Sequence, residues 1–101
     1  MSHNKTNMLT WNRNNTLKKV VPNSAGVYKF YDANRRLLYV GHAAHLRHRI
    51  QSYREVDDPR AHPTKTILRP KIRYYTYTAM PEFRARMREK EIKKYARYNV
   101  L

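Results

Sequence analysis

Two short runs of apolar and aromatic residues in the first half of the chain predict a pair of β-strands. They are AGVYKFYD, residues 25–32, and LLYVG, residues 37–41, with a turn-forming segment at their junction that is typical of a hairpin. With the loop centred in the middle of that segment, Tyr28 lies opposite Tyr39 and on the same face of the sheet. A loop of odd length would shift this pairing by one residue.

The rest of the chain predicts two helices, a third strand and two less regular segments. The polar residues 1–19 show no periodicity, and we expect them to form a mobile basic arm attached to one folded domain over residues 20–101. After the hairpin, this domain is predicted to contain a helix over 43–54 and then a proline-rich loop over 55–71 with a short helical turn near Ile67. A strand over 72–79 follows, and a second helix over 81–97 begins at Pro81.

The predicted helices place candidate functional side chains beside their apolar faces. At about 100° per residue, His42, Arg49 and Tyr53 fall on one stripe, and Ile50 faces the core. The alternative for any one basic residue is a solvated face. On the second helix Glu89 lies beside an apolar stripe, where it can hold a divalent cation or form an ion pair with Arg86 or Lys93.

Other candidate metal ligands are weaker. His42, His45 and His48 are spaced so that they turn around a helix instead of converging, which argues against zinc. Asp57 and Asp58 precede a proline, and this pattern is more typical of a turn than of a metal site.

The net charge of the chain narrows the range of its possible partners. The 101 residues include 22 Lys and Arg against 7 Asp and Glu, and 22 − 7 gives a net charge of +15. So high a charge favours a polyanionic partner, nucleic acid before a membrane surface, because the basic helix carries few apolar anchors. The chain has no cysteine, which excludes disulfides and cysteine-ligated zinc. No apolar run is long enough to span a bilayer, so we expect a cytoplasmic protein, with nucleoid association or a viral origin open.

The motifs resemble a known family. GVY at 26–28, YVG at 39–41 and a following helix that carries Arg49 are similar to the opening hairpin and helix of the GIY-YIG nuclease superfamily. The segments LKKVVPNSAGVY and ARMREKEIKKYARYNV extend the resemblance over residues 17–100, and we expect a small single-domain member similar to the N-terminal incision nuclease domain of excision repair. The resemblance implies an α/β (α+β) fold with a small three-stranded antiparallel sheet flanked by helices.

The resemblance also implies an active site. Tyr28 would be the general base or a proton relay, Tyr39 would position water or phosphate, and Arg49 would stabilise phosphate charge. The other implied site residues are Tyr53 and His42 in the catalytic site, Glu89 as ligand of Mg²⁺ or Mn²⁺, and Gly26, Gly41 and Asn99 in support. We also assign nucleic-acid contacts to His45, Arg47, Lys71 and Arg73.

The chemistry is that of phosphodiester hydrolysis. A metal-dependent DNA endonuclease needs an activated water and cations at the phosphate. We expect Arg49 and the metal to lower the pKa of Tyr28, and Gly41 to allow close backbone approach where the strand turns into the helix. Two features depart from relatives: His42 stands where several have lysine, and the segment from Glu89 to Asn99 is shorter than in the repair members.

Two alternatives use the same charge. A non-catalytic DNA- or RNA-binding module, such as a degenerate nuclease, would use the tyrosines for stacking. A structural ribonucleoprotein component would need only the basicity. Branched or flapped DNA is a candidate substrate, a partner protein could supply target specificity, and the sequence leaves open the oligomeric state and a role in repair, restriction, mobility or viral use.

Overall fold

A computed structural model of the protein describes residues 8–11, 20–54 and 63–95. The strands are β1 Leu9–Thr10, β2 Gly26–Tyr31, β3 Leu37–Ala43 and β4 Tyr74–Ala79, and they form one sheet in the order β1-β4-β2-β3 with every neighbouring pair antiparallel. The helices are α1 Leu46–Arg54, α2 Pro63–Leu68 and α3 Glu82–Tyr95. The predicted α+β class, a small antiparallel sheet flanked by helices, is confirmed, and the described sheet has four strands where three were expected.

The additional strand comes from the segment that the sequence predicts to be an arm. Leu9 and Thr10 pair with Tyr75 and Tyr74, and Trp11 follows with its ring edge-on to Tyr75 at 5.7 Å between centroids. Two residues are too few to show the alternation by which a strand is recognised, so the pattern misses β1. Residues 1–7 and 12–19 of the predicted arm lie outside the described residues.

The hairpin register differs from the predicted one by two residues. Tyr28 pairs with Gly41 and Phe30 with Tyr39, so the expected pairing of Tyr28 with Tyr39 is wrong. The difference has two causes. The strands are joined by a three-residue loop that ends at Arg35, which has a φ of 61°. Beside the loop, the register shifts between Phe30 and Tyr31, which leaves Leu38 of β3 as an extra residue. A shift of two residues preserves the face, so the two tyrosines still lie on the same side of the sheet.

The sheet buries a core on each face. The larger core, on the side of α1, includes Phe30, Leu46, Ile50 and Tyr75. The smaller core, on the side of α3, joins Val27 and Val40 of the sheet to Ala85, with Met80 and Ile92 packed against it. Alternate residues of β2 and β3 therefore point to different cores, and this alternation decides on which side each functional side chain lies.

The start of α1 is later than predicted. β3 continues through Ala43, and the helix begins at Leu46, whose N–H donates to the carbonyl oxygen of Ser24 at 2.9 Å. The amide oxygen of Asn23 accepts the N–H of His48 at 3.2 Å, which satisfies a first-turn donor from outside the helix. His42 thus belongs to a strand instead of the helical stripe.

The other predicted elements are close to those observed. The predicted helical turn near Ile67 is the helix α2, and the last helix begins at Glu82, directly after Pro81. Asp57 and Asp58 lie outside the described residues. In the described ranges no helix is long and apolar enough to cross a membrane.

Candidate active site

Three tyrosines gather on the α1 side of the hairpin. The hydroxyl oxygens of Tyr28 and Tyr53 are 3.1 Å apart and share a hydrogen bond, and both side chains are buried, 1% and 3% exposed. Tyr39 is half-buried, and its ring centroid lies 6.3 Å from each of the other two. The sequence places Tyr28 and Tyr39 on β2 and β3, whereas Tyr53 joins them because α1 packs its last turn over the same face.

Gly41 makes room for the ring of Tyr28. A Cβ atom at Gly41 would lie 2.5 Å from both Cζ and the hydroxyl oxygen of Tyr28, far inside van der Waals contact. Neither of the two glycines of the chain has a positive φ. Gly41 is therefore needed for the packing of Tyr28 within the sheet, and not for a backbone approach at a strand-to-helix turn, as the sequence suggested. Gly26 plays a similar packing role, because a Cβ there would meet the carbonyl oxygen of Thr78 and the side chain of Leu46.

Burial controls the acidity of these tyrosines. It raises the pKa of Tyr28 above its ordinary value of 10.0; the hydrogen bond from Tyr53 and the charge of Arg49 act in the opposite direction without outweighing it. Burial likewise raises the pKa of Tyr53, with the neighbouring Tyr28 adding to the shift. Arg49 thus acts on the pKa of Tyr28 in the expected direction, but burial is the larger effect and the net shift is upward.

Two cations lie beside the tyrosine cluster. Arg49, on α1, is exposed, and its charge acts on Tyr28. The Nζ of Lys65, on α2, lies 5.3 Å from the ring centroid of Tyr53. Burial lowers the pKa of Lys65, and the charge of Arg49 lowers it further, so the two cations are close enough to interact. Sequence reasoning missed Lys65 because it assigned its segment to a loop; only its positive charge could have signalled it.

The acidic part of the site lies on the opposite face of β3. Oε2 of Glu89, on α3, lies 3.2 Å from Nδ1 of His42, on β3. It also lies 3.7 Å from Nζ of Lys93, and this nitrogen is 5.6 Å from the ring centroid of Tyr39. Of the two ion-pair partners considered for Glu89, Lys93 is confirmed, whereas Arg86 contacts Glu82 instead, at 3.5 Å.

The tyrosine cluster and the Glu89–His42 pair meet around the edge of the sheet formed by β3. β3 is the last strand of the described sheet, so side chains from its two faces can approach one another past its free edge. Lys93 makes this connection, since it contacts Glu89 and also lies over Tyr39. The site is therefore a rim around β3, with tyrosines and cations on one side and a carboxylate with an imidazole on the other.

The residues on the α3 side fit a divalent cation. The side chain of Glu89 is 15% exposed, so its carboxylate is shielded but reachable. The buried Nδ1 of His42 makes no hydrogen bond within the described residues, although it lies at ion-pair distance from the carboxylate. No three His, Cys, Asp or Glu side chains gather in the described ranges. One carboxylate with few other protein ligands suits Mg²⁺, which keeps several of its waters.

The remaining predicted site residues are spread over the surface. His45, Lys71 and Arg73 are exposed, and Nη1 of Arg73 donates to the backbone carbonyl oxygens of Pro70 at 3.0 Å and Ile72 at 3.2 Å. Arg47 is half-buried. Its Nε donates to the carbonyl oxygen of Val21 at 2.9 Å, which ties α1 to the segment before β2. Their nucleic-acid contacts stay predictions, and Asn99 lies outside the described residues.

An edge strand with tyrosines and an arginine on one side and a glutamate on the other defines the class as a GIY-YIG domain. A family model described as the UvrC-like GIY-YIG domain matches residues 24–100. The chain therefore belongs to the UvrC-like GIY-YIG domain family, and the predicted resemblance is confirmed.

Solved structures agree with this assignment. The chain is similar to the GIY-YIG N-terminal endonuclease domain of UvrC from Thermotoga maritima bound to its catalytic divalent cation, magnesium, with a TM-score of 0.64 and 27% identity over 80% of this chain and 89% of that one. A point mutant of that domain, bound to its catalytic divalent cation, gives a TM-score of 0.63 and 27% identity over 83% and 93% of the two chains. These matches support the enzyme class predicted from the sequence, a GIY-YIG-type endonuclease.

Curated relatives match over shorter segments. UvrABC system protein C of Helicobacter pylori strain G27 is 57% identical over 35 residues, which are 35% of this chain and 6% of that protein. UvrABC system protein C of Campylobacter jejuni strain RM1221 is 48% identical over 46 residues, which are 46% of this chain and 8% of that protein. The matched segments are thus a small part of these relatives.

Proposed function

We propose that the chain is a metal-dependent endonuclease that hydrolyses phosphodiester bonds in DNA. The observation that carries the proposal is the meeting of the Tyr28–Tyr53 pair and Arg49 with Glu89 around one free strand edge. Hydrolysis of a phosphodiester needs a route for the proton of the attacking water and positive charge at the phosphate, and this rim offers groups for both.

The tyrosine pair is best suited to moving a proton. Because burial raises the pKa of Tyr28, its hydroxyl stays protonated near neutrality, and a phenolate base is disfavoured. The shared hydrogen bond of 3.1 Å allows the hydroxyl of Tyr28 to accept a proton from an attacking water while it passes its own to Tyr53. Tyr53 releases its own proton in turn through Tyr39, which lies beside it and reaches the surface, to a water molecule of the solvent. Of the two roles considered for Tyr28, we therefore favour the proton relay. Tyr39, nearer the surface, positions the water or the phosphate.

The cations serve the phosphate. Arg49 is exposed and is the group best placed to contact a non-bridging oxygen, and Lys65 adds charge from the neighbouring helix. On the other side of the edge, Glu89 would hold the divalent ion. A bound Mg²⁺ or Mn²⁺ would supply Lewis-acid stabilisation of the charge that develops on the phosphate and the leaving oxygen. Lys93 shares Glu89 with the ion and must move aside, which its partly exposed side chain permits.

A non-catalytic DNA-binding module is the second candidate. The observation that favours it is that Glu89 is already paired with Lys93 at 3.7 Å, as in a structural ion pair. The net charge of +15 and the tyrosines serve phosphate contact and stacking in either case.

The wider biology is also proposed. The relatives are proteins of the UvrABC system in bacteria, so we infer a role in DNA repair, with branched or flapped DNA as substrate candidates and a partner protein that supplies target choice. We also propose a cytoplasmic location, as expected from the sequence.

A cleavage assay separates the two candidates. Supercoiled plasmid and flapped DNA are incubated with Mg²⁺, with Mn²⁺ or with EDTA, and wild type is compared with Glu89→Gln. Glu91→Gln is the matched control, because Glu91 lies on the same helix, is exposed and pairs with Arg88 at 2.6 Å. We expect metal-dependent cutting that Glu89→Gln abolishes and the control retains. Tight binding without cutting in any metal would establish the binding module instead.

A further inference from the structure

His42 and Glu89 face each other in a way that an ordinary ion pair does not explain. Their Nδ1 and Oε2 atoms are 3.2 Å apart, yet the contact lacks the alignment of a hydrogen bond, and Nδ1 is buried with no hydrogen-bond partner in the described part of the chain. A buried imidazole nitrogen usually has a partner, because leaving it unsatisfied costs free energy. A cation bound by both atoms would give the buried Nδ1 a partner.

The spacing of the two atoms agrees with a shared metal ion. Bonds from a divalent ion to nitrogen or oxygen are about 2.1 Å long, so two ligands at right angles in an octahedron lie roughly 3.0 Å apart. The observed 3.2 Å needs a side-chain adjustment of only a few tenths of an ångström. Both side chains reach the surface, His42 with 30% and Glu89 with 15% of their area exposed, although Nδ1 itself is buried. An ion would therefore reach Nδ1 by way of a small rotation of the partly exposed imidazole.

A cation already lies beside the carboxylate of Glu89. Nζ of Lys93 lies 3.7 Å from Oε2 of Glu89, and the side chain is 41% exposed. The same nitrogen lies over the ring of Tyr39, which offers the ammonium another favourable contact if an ion displaces it from the carboxylate. The carboxylate of Glu89 is therefore paired with a positive charge, and the ammonium of Lys93 can be displaced from it by an ion.

We propose that His42 supplies, through Nδ1, a second protein ligand to the divalent ion held by Glu89, so that this site favours an ion that accepts imidazole nitrogen over Mg²⁺. The inference rests on the proposed function, because it assumes that Glu89 binds the ion. Mg²⁺ prefers oxygen ligands, whereas affinity of a mixed nitrogen and oxygen site rises from Mn²⁺ through Co²⁺ to Ni²⁺. His42 thus bears on the choice of metal, and not merely on the charge of the site.

The test measures metal binding by the full chain, free of any affinity tag and without DNA. Pulsed electron paramagnetic resonance of bound Mn²⁺ detects coupling to an imidazole ¹⁴N nucleus, and titration calorimetry gives the affinities for Co²⁺ and Mg²⁺. The variants are His42→Ala, the size-matched His42→Gln, and Glu89→Gln. The control is His48→Ala, an exposed histidine on α1. Circular dichroism establishes that each variant is folded.

The outcomes distinguish a failure of the inference about His42 from a failure of the proposed function. We expect ¹⁴N coupling in wild type and in His48→Ala, and its loss in both His42 variants. The His42 variants should also lose Co²⁺ affinity by at least roughly 10-fold, since removal even of an outer-shell partner of a metal site has an effect of this size. Their affinity for Mg²⁺ should change less. Coupling that persists without His42, or Mn²⁺ bound through Glu89 with no nitrogen coupling, would overturn this inference and leave the proposed function standing. Mn²⁺ binding that is indifferent to Glu89→Gln would refute both.

Discussion

Gly41→Ala tests whether the packing of Tyr28 against the neighbouring strand holds the active site together. The added Cβ would lie 2.5 Å from Cζ and from the hydroxyl oxygen of Tyr28. Ordinary carbon contacts begin at about 3.5 Å, so the ring must move by roughly 1 Å. Because Tyr28 is 1% exposed and packs against Phe30 and Tyr53, that movement disturbs the core. Overpacking of this kind costs about 1–3 kcal/mol of unfolding free energy.

The assay is a double-mutant cycle in urea with Tyr28→Leu, which removes the ring atoms that the new methyl group would meet. If the cost of Gly41→Ala comes from that clash, most of it should vanish in the Tyr28→Leu background, a coupling of about 1–3 kcal/mol. Gly26→Ala is the control, since its Cβ would meet Thr78 and Leu46 instead. We expect it to destabilise equally in both backgrounds.

The same substitution has an expected effect on catalysis. A displacement of about 1 Å at a catalytic group can reduce the rate about 100-fold, so metal-dependent cleavage by Gly41→Ala should fall by this order, while DNA affinity at fixed salt changes little. If Gly41→Ala costs the same free energy with and without the Tyr28 ring, within about 0.5 kcal/mol, the reasoning about this contact is refuted.

Three further predictions concern the rest of the fold. Tyr53→Phe removes one partner of the buried hydrogen bond to Tyr28, and urea denaturation should show a loss of about 1 kcal/mol; an unchanged midpoint would mean that the bond does not stabilise the protein. Because the pKa values of both tyrosines are raised in the folded state, the unfolded chain ionises first, and stability should fall as pH rises above about 10, less steeply in Tyr53→Phe. The lowered pKa values of Lys29 and Lys65 oppose this fall, so a rise in stability above that pH would show that the lysines dominate. Trp11→Ala should cost about 2–3 kcal/mol, because the half-buried indole packs on Phe30 and Tyr75; circular dichroism is the probe, since Trp11 is the only tryptophan, and a loss under 0.5 kcal/mol would contradict this packing.

The sequence predicts the fold class and most of the elements because their signals are local. The β-rich runs define β2 and β3, and Pro81 with Glu82 marks the start of the last helix. The apolar residues beside Glu89 place it correctly near the core on the α3 side. The GVY and YVG motifs add the family, which composition and periodicity alone do not give.

The errors arise where structure depends on distant partners or on fine geometry. β1 exists because β4 offers it a free edge, and no local pattern of two residues shows this. The hairpin register depends on the φ of Arg35 and on one extra residue, neither of which can be read from residue types. His42 was assigned to a helical stripe and lies in β3, facing α3, because the strand continues two residues beyond Gly41.

The pKa of Tyr28 shows a different limit of prediction from sequence. The sequence indicates a nearby arginine, which favours ionisation, but it does not show how completely the ring is buried, and burial is the larger effect. Lys65 was missed for a related reason, since its importance comes only from the position of α2 beside Tyr53. Sequence patterns identify the chemical groups more reliably than their surroundings.

The division of the site between two cores has a consequence for how the protein can evolve. Tyr28 and Tyr53 are among the buried residues of the larger core, so a substitution that alters proton transfer there also lowers stability, and few such changes can be tolerated. Glu89 and His42 lie at the margin of the smaller core, where a change of side chain leaves few cavities. If Glu89 and His42 bind the ion as proposed, substitutions at position 42 can change the metal preference at little cost in stability, whereas the tyrosine arrangement stays fixed.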